Sequence, residues 1–244
     1  MRGGGAPENN APAGFVEVPC KVKINQSMLC CESFAFTLAE VLITLGIIGI
    51  VAAMTLPTVI NKAERFILAQ QFKKTYANLQ NAINLVQTEH GMPYECYVMG
   101  VLRYYYSECG DFWPKLLDEL RVIKVCNYAE DNCILKYKTK NDVLNAGGSV
   151  DNHSCSLTDN LDKFKVFTLN DGAFIIANDG STGLGYSPWV VIDVNGEKGP
   201  NKWGYDVFWT NLYRENEKKN VVLYDEICKM KEKGGMYFSE MILK

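Results

Sequence analysis

The chain has 244 residues, 48 % of them apolar and 22 % charged, with a formal net charge of −3. That composition excludes a disordered polymer and leaves room for one ordinary domain with an appendage. The acidic balance argues against nucleic acid as a main partner, because a basic face is the usual footprint of one.

The first 35 residues carry Cys20, Cys30 and Cys31, with Lys21 and Lys23 as sparse cations and Glu32 close to their end. From Val41 to Ile60 there are twenty residues without a charge. As a helix they span about 30 Å, the thickness of a bilayer core. A secretory signal is the rival reading, but its apolar region would be shorter and would precede a cleavage site better than Ala52-Ala53-Met54. Glu40 stands at the start of this run. A carboxylate in hydrocarbon is costly unless paired, and the nearest cations, Lys23 and Lys62, are far along the chain. A cut before Phe36 would supply a cation, since the new terminal amine would lie at the membrane edge.

Phe36-Thr37-Leu38-Ala39-Glu40-Val41, followed by a long apolar helix with Gly49 and Pro57, resembles the N-terminus of type IV pilins and type II secretion pseudopilins. The resemblance implies a leader of residues 1–35 removed by prepilin peptidase between Ala35 and Phe36, then methylation of Phe36. It implies that Glu40 pairs with the amine of Phe36 on a neighbouring subunit and that Pro57 kinks the helix. It also implies a single-pass protein of the inner membrane, its C-terminal domain periplasmic or extracellular. Its partners would be itself, other pilin-like subunits and the secretion or pilus assembly machinery. Two features depart from the family pattern. Ala35 stands where Gly is usual, and the leader is long and lacks a cation near the cut, with Met28 as a second candidate start. Lys62, Arg65, Lys73 and Lys74 beyond the run outnumber Lys21 and Lys23, so the positive-inside rule does not set the orientation.

Past Ile60 the pattern turns amphipathic. Phe72, Tyr76, Leu79, Ile83 and Val86 form a helical stripe, and Gly91 and Pro93 supply a stop. The spacing predicts a membrane half over 36–60 and an amphipathic half over 61–90, one helix to about Glu89 that lays its stripe on the chain's own sheet. Residues 91–244 form the expected outer domain.

Within it, residues 92–162 read as irregular and cysteine-rich, with a short helix from Asp111 to Lys124, Pro114 in its first turn, and a loop over Asn145–Asp151. The cysteines Cys96, Cys109, Cys126, Cys133, Cys155 and Cys228 suit up to three disulfides on an oxidising side of a membrane. Cys126 and Cys133 are natural neighbours, and the full pairing stays open. Lys165–Leu169 and Ala173–Ala177 flank Asn170-Asp171-Gly172, a hairpin signal, and Trp189–Val194 reads as a third strand. Tyr224–Lys231 is expected to be a short helix. The fold class is therefore α+β: a long N-terminal helix packed on a C-terminal antiparallel sheet, as in pilins.

Asp193-Val194-Asn195-Gly196, with Asp206 further on, has the spacing of an oxygen-ligand loop, and major pseudopilins often carry calcium in a late loop of this kind. The competing reading is a turn whose Asp and Asn side chains cap their own backbone. No catalytic residue is expected. His90 ends a helix, and His153 beside Cys155 at i, i+2 does not make a nucleophile–base pair. The expected function is a filament subunit that supports protein secretion. The alternatives are a type IV (minor) pilin for adhesion or DNA uptake, and a membrane-anchored binding protein that never polymerises.

Overall fold

A computed structural model describes residues 37–90, 107–128, 137–151, 155, 164–180, 185–213, 221–224 and 228–243. The chain divides into two compact units, Met1–Thr55 and Leu56–Lys244. In the first, the described residues are the start of helix α1, which as a whole runs from Leu38 to His90 and contains Pro57. Among the described residues this is one helix long and apolar enough to cross a membrane. Every side chain from Thr37 to Ile67 is exposed except Ala52.

The second unit holds the sheet. Its elements are α2 (Ser107–Glu119), β1 (Val122–Asn127), α3 (Lys140–Asn145), β2 (Ser149–Asp151), β3 (Lys165–Leu169), β4 (Phe174–Gly180), β5 (Gly185–Asp193), β6 (Val207–Tyr213), β7 (Val222–Tyr224), β8 (Lys229–Lys231) and α4 (Phe238–Ile242). Six strands form one antiparallel sheet in the order β1-β3-β4-β5-β6-β7, while β2 and β8 pair separately. An α+β fold follows.

The strands alternate between two buried faces. Phe167, Ile175, Ile192 and Phe208 face the stripe of α1, where Phe72, Leu79, Ile83 and Val86 are buried beside Trp113 and Leu116 of α2. Val166, Ile176, Val191 and Trp209 point the other way, into a second core with Tyr137, Val143, Trp203 and Met230. A sheet covered on both faces needs apolar residues at successive positions, which is why Phe174–Ala177 and Val190–Ile192 read as unbroken apolar runs.

Several expectations need correction. The helix expected over Asp111–Lys124 is Ser107–Glu119, so Pro114 lies in its interior. Arg121, at φ 52°, turns the chain into strand β1, and Ile123 is exposed instead of facing a helix core. Residues 92–162 are therefore not simply irregular. Ala146 and Gly147 do turn, but Ser149–Asp151, after Gly148, is a strand. Where a helix is expected over Tyr224–Lys231, the described residues are strand instead: Tyr224 ends β7 and Lys229–Lys231 is β8, with Leu223 and Met230 buried between less buried neighbours. The second and third strands are longer than expected, reaching Gly180 and starting at Gly185. Strand β6 was not foreseen, because Thr210 and Asn211 interrupt its apolar run although both are buried.

Candidate functional site

The amino end of α1 is closed by its own side chains. The Thr37 amide donates to Glu40 Oε2 at 2.8 Å, the Thr37 hydroxyl donates to the same oxygen at 2.9 Å, and the Glu40 amide donates to Thr37 Oγ1 at 3.2 Å. This is a capping box, with Thr at the cap and Glu three residues on, each satisfying an amide that the helix leaves unpaired. Further along, the Thr44 and Thr55 hydroxyls donate back to the carbonyls of Val41 and Val51 at 3.0 and 2.9 Å, so both polar side chains are satisfied within the helix. The helix continues through Pro57, which lacks an amide donor. Ala35 and Phe36, the expected processing pair, lie outside the described residues.

The loop after β5 brings Asp193, Asn195 and Asp206 together, as their spacing suggested. Asp193 Oδ1 accepts from the amides of Asn195 and Gly196 at 3.1 and 2.7 Å, and Oδ2 accepts from the Tyr137 hydroxyl at 2.8 Å. Asp206 takes the amides of Asn201 and Lys202, both at 2.7 Å, one on each oxygen. Asn195 Nδ2 donates to the Gly199 carbonyl at 2.6 Å. With its amide nitrogen turned inward, Asn201 adds a donor to Asp193 Oδ2 at 3.3 Å. Gly196 sits at φ 58°, and a Cβ there would come within 2.3 Å of the Gly172 carbonyl, so the loop lies tight on the β3–β4 turn.

Burial, with Asp206 nearby, pushes the Asp193 carboxyl up to about 7, although the Tyr137 hydroxyl and two amides pull against it. Burial also raises Asp206, and it raises Tyr137 further through the neighbouring Asp193. Calcium would need about six to eight oxygens turned to one point. Here every carboxylate oxygen already accepts an N–H or O–H, and Asn195 Oδ1 alone of the three residues' side-chain oxygens is buried without a donor. Among the described residues no group of three or more His, Cys, Asp or Glu is placed to hold a metal ion. The geometry fits a hydrogen-bonded clasp that ties β5 to β6.

Of the cysteines, Cys155 and Cys228 are both buried and form a disulfide across 73 residues. Cys126 is also disulfide-bonded. Cys96 and Cys133 lie outside the described residues, as does the Cys109 side chain. Sequence reasoning missed Tyr137, whose position before α3 carries no signal that it reaches Asp193. It also missed Gln80 and Gln87, which look like solvated helix residues.

No protein-family model, curated protein or solved structure matches this chain.

Proposed function

We propose that this chain is a structural subunit of a filament of the type II secretion pseudopilus or type IV pilus kind. Val41–Ile60 anchors it in the cytoplasmic membrane, and the sheet domain stands on the oxidising side, a placement that the Cys155–Cys228 bridge supports. Prepilin peptidase cuts before Phe36, and assembly runs through the N-terminal helix. The work is mechanical and supports protein secretion.

One observation carries this reading. A carboxylate sits at the head of an exposed apolar run, uncharged from Val41 to Ile60, in a helix whose far half is built into a folded domain. Exposed apolar helix of this length needs a bilayer or other helices around it, and a filament core supplies the second. The charge at its head gives a neighbour's amine something to pair with.

The capping box favours a second reading. Thr37 satisfies Glu40 within one chain, so a membrane-anchored binding protein that never polymerises would use the same residues. Glu40→Gln separates the two, because Gln also completes a capping box but carries no charge. In cells, Glu40→Gln should leave insertion and folding intact and abolish filaments recovered by shearing. Wild-type filaments with an equally productive Glu40→Gln variant would defeat the pairing account and leave capping as the role of Glu40.

A further inference from the structure

Helix α1 leaves its apolar run at Ile60, and Arg65 follows five residues later, about 7.5 Å along the axis. Arg65 is where the folded domain reaches back to the end of that run. Its guanidinium lies 5.2 Å from the centre of the Tyr205 ring and donates to the Tyr205 hydroxyl at 3.2 Å. Tyr205 in turn donates to the Lys233 carbonyl at 2.8 Å, and Lys202 Nζ stands 5.8 Å from the same ring. Gly234, at φ 82°, allows this approach: a Cβ there would lie 2.8 Å from the Tyr205 hydroxyl and 3.2 Å from Arg65.

Lys62, Arg65, Lys202 and Lys233 are all exposed, and among the described residues none of them is ion-paired. Glu64 is the one acid between Lys62 and Arg65 on the helix, and the group stays cationic. Beside it, Phe66 and Ile67 are 67 and 55 % exposed, so apolar surface continues past Ile60 on the same turn as the cations. Cations, a tyrosine and exposed apolar side chains at the end of a membrane-length run are what the headgroup layer selects. In a protein of net charge −3 this cluster is a local reversal of sign.

We infer that the face formed by Arg65, Lys202, Tyr205 and Lys233 rests on the bilayer surface and binds anionic lipid headgroups. The inference rests on the reading of Val41–Ile60 as a membrane span. The Arg65 and Lys202 cations flank one ring, whose hydroxyl holds the backbone of Lys233, so on the bilayer they would act on the surface potential together over a Debye length of about 10 Å at ordinary salt. The face would hold the outer domain against the membrane before assembly, and leaving the bilayer would require releasing it.

The test uses the full chain in nanodiscs of phosphatidylglycerol and phosphatidylcholine, against phosphatidylcholine alone, with hydrogen exchange read by mass spectrometry. Exchange at residues 201–206 and 232–237 should slow several-fold with the anionic lipid only. Raising salt from about 0.1 to about 1 M, which shortens the Debye length to about 3 Å, should remove the difference. So should Lys202→Ser with Lys233→Ser, while exchange over 165–177 stays unchanged and reports an intact fold. Equal exchange in both lipids, or protection that survives the double substitution, overturns the inference. Extraction of the chain from vesicles by alkaline carbonate overturns the membrane reading itself, and this inference with it.

Discussion

Gln87 Oε1 accepts the backbone amide of Val221 at 2.8 Å, so a helix side chain takes the place of a missing strand. Gln80 does the same about two turns earlier, donating to the Val221 carbonyl at 3.1 Å and accepting the Leu223 amide at 3.3 Å. Strand β7 is the last in its sheet, and an edge strand presents unpaired amides and carbonyls to any passing chain. Here α1 closes that edge. Gln87 also donates to the Ile83 carbonyl at 3.2 Å, which holds its amide in the accepting orientation.

Gln87→Leu should therefore destabilise the domain by about 1–3 kcal/mol, since it leaves the buried Val221 amide without an acceptor. Gln80→Leu should cost less, because that side chain is only part-buried and water can replace it. Denaturant unfolding of the detergent-solubilised chain measures both. Parental stability in Gln87→Leu would mean the edge is closed by something else.

Cys155 and Cys228 should resist alkylation without reductant, as should Cys126. The first bridge joins segments 73 residues apart and sits in the second core. Replacing both cysteines by serine should cost about 2–5 kcal/mol, the range for native bridges in small outer domains. Free thiols at these positions in protein taken from cells would place the domain in a reducing compartment.

The Asp193 carboxyl keeps its proton to about pH 7 in the folded chain, against an ordinary value of 3.8. Between those limits the unfolded chain holds fewer protons than the native one, so this group makes stability fall as pH rises. The cost is absent below about pH 4 and complete above about pH 7, and its full size is on the order of a few kcal/mol. Asp193→Asn keeps the shape and the acceptor for the Asn195 and Gly196 amides while removing the titration. Unfolding midpoints between pH 4 and pH 7 should slope less steeply in the variant. A residual slope of the same sign is expected from Asp206, which burial also raises. Identical slopes in parent and variant would show that Asp193 ionises normally.

If the filament reading holds, mass spectrometry of the membrane fraction should find a mature chain beginning at methylated Phe36. Ala35→Glu should block the cut, because a small residue is required before it. A chain that keeps its leader, or that starts after Ala53, would remove the processing step from the proposal.

Local pattern was enough for the long helix, its apolar and amphipathic halves, the β3–β4 hairpin and the stripe from Phe72 to Val86. Each depends on a period of 3.6 or 2, or on a turn residue with one conformational role, and those signals need no partner. The spacing of Asp193, Asn195 and Asp206 was likewise legible, because an Asx loop is built from neighbours in the chain. What these residues do was not. The Tyr137 hydroxyl comes from 56 positions away to meet Asp193, and burial in the folded chain decides its proton affinity. Strands β1, β2, β6, β7 and β8 escaped for the same reason. They are short or carry buried polar residues such as Asn211, and only pairing across the sheet makes strands of them. Gln80 and Gln87 look solvated by sequence and become edge acceptors only once β7 lies against α1. The closeness of Arg65 to Tyr205 is of this kind too: 140 residues separate them, and only the folded chain brings the cations together at the end of the apolar run.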